Sequence, residues 1–215
     1  MSQKTDNTGI ERRYLTTPVK VEKRADGEVE LSVVEGYAAL YNKRADIGWF
    51  DEEILPGAFD DVLNDDVRCL KNHDPNYILA RSINGKGTLE LFLDEKGLGY
   101  RYTTPDISYA KDLQRSIELG DVSQSSFSFK AKEVVWIEKE GENELRQIKK
   151  IETLYDVSPV TFPAYQDTTV GKRSWEAHLE EKKKETETRN EDAGDSSKIM
   201  DEYEARHKFN QNKYK

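Results

Sequence analysis

Period-two recurrence of apolar side chains runs through most of residues 12–171 and commits the chain to β-structure, because alternate residues of a strand share one face. Val19–Arg24, the turn signal Ala25-Asp26-Gly27 and Val29–Leu40 predict one β-hairpin. Thr88–Leu93, Asp94-Glu95-Lys96-Gly97 and Leu98–Thr104 predict a second, with Leu89, Leu91 and Leu93 alternating. Val122–Ile137 and Leu145–Val157 predict a longer pair that turns at Glu140-Gly141-Glu142-Asn143. The period lengthens at 106–119, where Ile107, Ala110, Leu113 and Ile117 share a helical face. Asp106 is placed to cap that helix and Gly120 to end it. Pro56–Leu63 reads as a short further helix. The fold class that follows is α+β, with strands dominant.

Composition excludes several functions. The chain carries 33 Lys+Arg against 42 Asp+Glu, a net charge of −9, so it lacks the basic balance of a general nucleic-acid binder. No run approaches the ~18 apolar residues of a membrane span; the best, LSVVEGYAAL, is interrupted by Glu35. The opening MSQKTDNTGIERRYL has no apolar stretch of the secretory kind, so a soluble, cytoplasmic protein is expected, with Cys69 a reduced, partly buried thiol. One Cys cannot build a disulfide framework or a Cys-rich zinc site, and His73, His178 and His207 are too scattered for a three-histidine metal site. No metal or cofactor is called for.

The composition shifts near residue 172. Residues 172–215 hold 11 Lys+Arg and 11 Asp+Glu among 44, so the whole negative excess lies in 1–171. Few apolar residues there leave little burial to offset chain entropy. The expected organisation is a flexible N-terminus over 1–11, one folded domain over 12–171, and a charged helical or disordered tail over 172–215 outside the core.

Three places could carry chemistry. His73, in Lys71-Asn72-His73-Asp74-Pro75, is the only His in 12–171, so any imidazole base of the folded domain is His73. In Asp121–Phe129, strand parity puts Phe127 and Phe129 with Ser125 on one face and Gln124, Ser126 and Ser128 on the other, which favours Ser126 or Ser128 as an accessible hydroxyl. The plain alternative is a serine-rich strand with ordinary hydrogen bonds. In Ile151–Pro159, parity puts Glu152, Leu154, Asp156 and Ser158 on one face, opposite Ile151, Tyr155 and Val157. Four strand residues span ~13 Å, so only one of Glu152 and Asp156 can orient a single imidazole. The same spacing separates Cys69 from His73 and argues against a local Cys–His pair. A serine nucleophile needs a base, and the base an orienting acid. No Walker A, G-x-S-x-G or HExxH pattern is present, and Gly85-Lys86-Gly87 reads as a turn before a strand.

Five segments taken in order are familiar. Glu35-Gly36-Tyr37-Ala38-Ala39-Leu40-Tyr41-Asn42, Leu55-Pro56-Gly57-Ala58-Phe59-Asp60, Asn72-His73-Asp74, Ser126-Phe127-Ser128-Phe129 and Tyr155-Asp156-Val157-Ser158-Pro159-Val160-Thr161-Phe162-Pro163-Ala164-Tyr165 resemble the prohead (capsid maturation) serine proteases of tailed bacteriophages. That family is related in fold to the herpesvirus assembly protease, assemblin. The resemblance covers residues 12–170. It implies a compact, mostly antiparallel β-barrel flanked by helices. It also implies a serine endopeptidase with His73 as base, Ser126 as nucleophile and Asp156 as orienting acid, Glu152 in reserve. By analogy with the assemblin loop, oxyanion donors are sought among backbone N–H groups near Pro163–Tyr165. Family members commonly have Gly where Ser128 stands and often Glu in place of Asp156.

The implied substrates are scaffold or the scaffolding segment of the major capsid protein, and the enzyme itself, cut inside the prohead in the host bacterial cytoplasm. A homodimer is allowed, since the herpesvirus relatives dimerise; no nucleic-acid or membrane partner is expected. The rivals are a capsid-assembly factor that no longer cuts, and an esterase or amidase on the same triad, which the missing elbow disfavours.

Overall fold

A computed structural model describes residues 9–15, 19–26, 29–138, 143–161 and 168–189. The elements are β1 (Glu11–Leu15), β2 (Lys20–Asp26), β3 (Val29–Leu40), β4 (Ala45–Asp46), β5 (Asp51–Ile54), β6 (Val67–Lys71) and β7 (Asp74–Ile83). They continue with β8 (Lys86–Gly87), β9 (Leu89–Leu93), β10 (Gly97–Thr103), α1 (Ser108–Leu119), β11 (Gln124–Ile137), β12 (Leu145–Val160) and α2 (Thr168–Arg189). The three expected strand pairs form: β2 with β3, β9 with β10, and β11 with β12, all antiparallel. The tip of the third, at 140–142, lies outside the described residues.

The strands make two sheets. The larger runs β1-β11-β12-β6-β7-β8, with β5 alongside β12 and β4 on β5; the smaller runs β2-β3-β10-β9. Most pairs are antiparallel, but β12 pairs parallel with both β5 and β6. Among the described residues the pairing does not close a ring, in contrast to the expected barrel. Closure would need β8 to join β9 and β1 to join the smaller sheet, and neither ladder forms among the described residues; β8, two residues long, offers few N–H and C=O groups for the first. One core fills the space between the sheets, with Val34, Ala38, Leu98 and Tyr100 from the smaller and Phe127, Phe129, Leu154 and Val157 from the larger. The Val, Leu and Phe side chains among these each add roughly 1.5–3 kcal/mol on full burial.

Local chemistry explains where expectation and structure part. Pro56–Leu63 is not α-helix. Ala58, Asp60 and Val62 donate N–H bonds three residues back, so the segment is a run of tight turns. Gly57 at φ 87° takes a conformation that α-helix forbids. The segment nevertheless buries Ala58 and Phe59 completely. Helix α1 buries Ala110, Leu113 and Ile117 and ends at Gly120, φ 83°, whose N–H bonds the carbonyls of Ile117 and Ser116. Its start differs: the N-cap is Ile107, without a side-chain cap bond, while Asp106 pairs with Lys111 Nζ and Ile107 is exposed.

The parity expected along β12 also fails, and a bulge is the cause. Ser128 faces Asp156 across the ladder, yet Phe129 faces Leu154, which leaves Tyr155 as an extra residue. The slip turns Leu154 into the core with Ile151 and Val157, while Asp156 stays on the opposite side. Beyond it Lys130 faces Thr153 and Ala131 faces Ile151, so Glu152 is skipped as well.

The segment expected to stand outside the core does not do so at its start. Trp175 of α2 is fully buried in a second cluster with Ile47, Trp49 and Phe50, against which Trp136 and Leu179 pack. His178 stacks on Trp136 at 4.2 Å, and its Nε2 lies 2.8 Å from Glu144 Oε2. A low apolar content concealed one well-placed aromatic anchor. Residues 190–215 of the expected tail and 1–8 of the expected flexible N-terminus lie outside the described residues.

Candidate active site

Two residues, Asn72 and His73, make the whole turn between β6 and β7, where Lys71 pairs with Asp74. Both have positive φ, 56° and 58°, as a two-residue hairpin with the right strand twist requires. An L-residue other than Gly pays ~1–2 kcal/mol there, so the surroundings must hold it. Asn72 is the holder: its N–H donates to Pro159 O at 3.1 Å, its Oδ1 accepts from Thr161 N at 2.8 Å, and its Nδ2 donates to Thr161 Oγ1 at 3.3 Å. The parallel β6–β12 pairing, Arg68 with Asp156 and Cys69 with Val157, brings the turn alongside the end of β12.

The result is an unbroken polar line. His73 Nδ1 is 2.5 Å from Asp156 Oδ1, and His73 Nε2 is 2.5 Å from Ser126 Oγ. An ionised carboxylate only accepts, so Nδ1 carries the proton and Nε2 is left to accept from the Ser126 hydroxyl. Tyr14 on β1, directly across from Ser126, presents its ring edge-on to the imidazole at 6.4 Å. The His73 and Asp156 side chains are 8% and 10% exposed and Ser126 is fully buried, so the line operates away from bulk water. Burial pushes the Asp156 carboxyl up, but the hydrogen bond of His73, with hydrogen bonds from Ser128 and Ser158, holds it below its ordinary value. Such a line can move a proton from Ser126 to His73 and stabilise the imidazolium that forms.

The remaining candidates fall elsewhere. Ser125 points to the core and shares a 2.9 Å hydrogen bond with Tyr100 Oη. That contact explains Gly36, where a Cβ would meet Tyr100 Oη at 3.1 Å and Ser125 Oγ at 3.2 Å. Glu152 is exposed and pairs with Lys130 Nζ at 2.9 Å. Cys69 is fully buried, not partly, and burial together with the Asp156 charge pushes its thiol well up, away from a reactive thiolate. The stretch near Pro163–Tyr165 lies outside the described residues. Among the described residues no three His, Cys, Asp or Glu side chains converge as a metal ion would require.

Sequence reasoning missed four partners of the site. Asn72 and Ser158 were within reach, the first as neighbour of His73 and the second by its position two residues after Asp156, whose Oδ1 it reaches at 2.8 Å. Parity offers Ser128 only as an alternative nucleophile, not as a neighbour of Asp156. Arg12, whose Nε donates to Ser128 Oγ at 3.2 Å, carries no local signal at all.

Comparison with known proteins adds three findings. The sequence matches the family model of the caudovirus prohead serine proteases over residues 18–183. No curated protein matches it. Among solved structures it is similar to the capsid assembly protease of bacteriophage T4, at 12% identity and a TM-score of 0.45, over 70% of this chain and 95% of that one.

Proposed function

The chain belongs to the caudovirus prohead serine protease family and is a serine protease of capsid maturation, and on that premise we propose that Ser126, His73 and Asp156 are its catalytic triad. Ser126 Oγ attacks the scissile carbonyl, His73 Nε2 takes its proton and returns it to the leaving amine, and Asp156 holds the imidazole through Nδ1. Water then releases the acyl-enzyme. The supporting observation is the contiguous Asp156–His73–Ser126 line, 2.5 Å at each step. Glu152, on the exposed face with Lys130, is set aside as the acid.

The substrates in this reading are scaffold or the scaffolding segment of the major capsid protein, and the enzyme itself, cut within the prohead in the bacterial cytoplasm. The protease domain is residues 12–171 with the start of α2 docked on it through Trp175, and self-cleavage falls in the charged tail beyond α2. The rival reading, an assembly factor that does not cut, draws on the complete burial of Ser126.

Co-expression with the cognate major capsid protein separates the two. Wild type and Ser126→Ala are compared by intact mass. Shortened capsid protein or scaffold with the wild type alone supports the proposal. Shortening by both moves the nucleophile off Ser126, and shells assembled without shortening by either favour the non-cutting factor. Loss of a C-terminal mass from the protease itself, in the wild type alone, marks self-cleavage.

A further inference from the structure

Ser128 is the hydroxyl the triad does not use. Its Oγ lies 3.3 Å from His73 Nδ1 and 3.2 Å from Arg12 Nε, and Ser128 is the cross-strand partner of Asp156, whose carboxyl it helps hold below its ordinary value. The direction of each bond is forced. A guanidinium only donates, so Ser128 Oγ accepts from Arg12. His73 Nδ1 already directs its proton to Asp156 and has no lone pair for the Ser128 hydrogen. The acceptor that remains for that hydrogen is the Asp156 carboxylate, and Ser128 is 1% exposed, so water does not compete.

Strand β1 is built to deliver Arg12. Arg12 and Ser128 are cross-strand partners, as are Tyr14 and Ser126. The residues flanking Arg12 point the other way into a buried charge cluster. Arg13 bonds both Glu11 and Glu52, and Arg146 bonds the same two carboxylates, at 2.5–2.9 Å. Glu11 and Arg13 thus anchor the strand from one face while Arg12 reaches the site from the other.

We propose that Arg12 and Ser128 are positioning residues of the protease, forming a directional relay Arg12→Ser128→Asp156 that steadies the carboxylate and keeps His73 Nε2 free to accept from Ser126. The inference rests on the Ser126–His73–Asp156 reading. Ser158 Oγ supplies a second donor to the same carboxylate. The relay also leaves Ser128 without a base of its own, since its proton is committed to Asp156.

The test uses the purified full-length chain and a fluorophosphonate probe, with phosphonylation read by intact mass across pH. Ser126→Ala reports on the triad reading alone: persistent labelling of that variant refutes it, whatever the relay does. With labelling confined to Ser126, Ser128→Ala and Arg12→Ala each slow the plateau rate about tenfold, the worth of one charge-assisted hydrogen bond. The double variant is no slower than either single one, because both cut the same chain. Arg12→Lys, which keeps a donor, recovers most of the rate. In both alanine variants the acid limb moves to higher pH, because a carboxylate stripped of a donor, or of the nearby cation, holds the imidazolium more tightly. A role confined to folding would lower the melting temperature and leave that limb in place. An unmoved limb with wild-type rates in Ser128→Ala, or a fully multiplicative loss in the double variant, overturns the relay. Arg12 is exposed, so its variants test the idea even where Ser128→Ala folds poorly.

Discussion

Replacing Asp156 by Asn changes one atom and no volume, and it isolates the electrostatic part of catalysis. In the proposed triad the imidazole of His73 becomes an imidazolium as Ser126 attacks. With Nδ1 2.5 Å from Oδ1, the centres of the two charged groups lie about 4 Å apart. At the effective dielectric of about 20 that suits protein sites, that attraction is worth about 4 kcal/mol, or roughly a thousandfold in rate. An amide adds a second loss. In the proposed relay Ser128 donates into the carboxylate, and the Asn NH₂ cannot accept that bond, so the side chain or the imidazole tautomer must readjust. The expected fall in kcat is therefore between about 10³ and 10⁴, with KM little changed. The assay is cleavage of the cognate capsid protein by purified full-length enzyme, followed by intact mass, beside thermal melts that confirm folding. Glu152→Gln serves as the matched control and leaves the rate as it was. Asp156→Asn within tenfold of wild type would refute the reasoning.

Two further outcomes test the frame around the site. Arg146→Met leaves Glu11 and Glu52 buried with Arg13 as their remaining partner, so urea unfolding should show a loss of about 3–5 kcal/mol; a loss under about 1 kcal/mol would mean the cluster is not desolvated as described. All three Trp belong to the α2 cluster, so intrinsic fluorescence reports α2 docking directly. Trp175→Ala should cost about 3–5 kcal/mol and red-shift the emission of the two that remain. The same signal gives a pH prediction. Burial raises the Glu144 carboxyl, but bonds and charge from His178 and Lys182 outweigh it and hold it below 4.5. A depressed carboxylate stabilises above its unfolded value, so docking is firm above pH 4.5 and weakens as pH falls through the lower folded value. Glu144→Gln should flatten that response; an undiminished acid transition in the variant would assign it elsewhere.

Much of this protein is legible in the residues alone. Alternation marks the strands, the lengthened period marks α1, and Asp-Gly and Gly120 mark where chains turn or stop, because these signals act within a few residues of themselves. Parity sorted the face of Ser126 and Ser128 from that of Ser125 for the same reason, since β11 stays regular from 125 to 128, but the accessibility expected of that face is absent, as all three serines are buried. Elimination left His73 as the one possible imidazole base of 12–171, and the family resemblance supplied its role. What sequence could not supply depends on partners remote in the chain. The bulge at Tyr155 arises from how β12 meets β11, and it decided that Leu154 is core. The charge cluster joins Glu11 to Arg146, and the anchoring of α2 joins Trp175 to Phe50; each is an ordinary polar or aromatic residue until a distant segment desolvates it. Local spacing determines which side of a strand a group occupies. Only the tertiary structure brings the two-residue turn at His73, the regular part of β11 and the bulged end of β12 to within one hydrogen bond of each other.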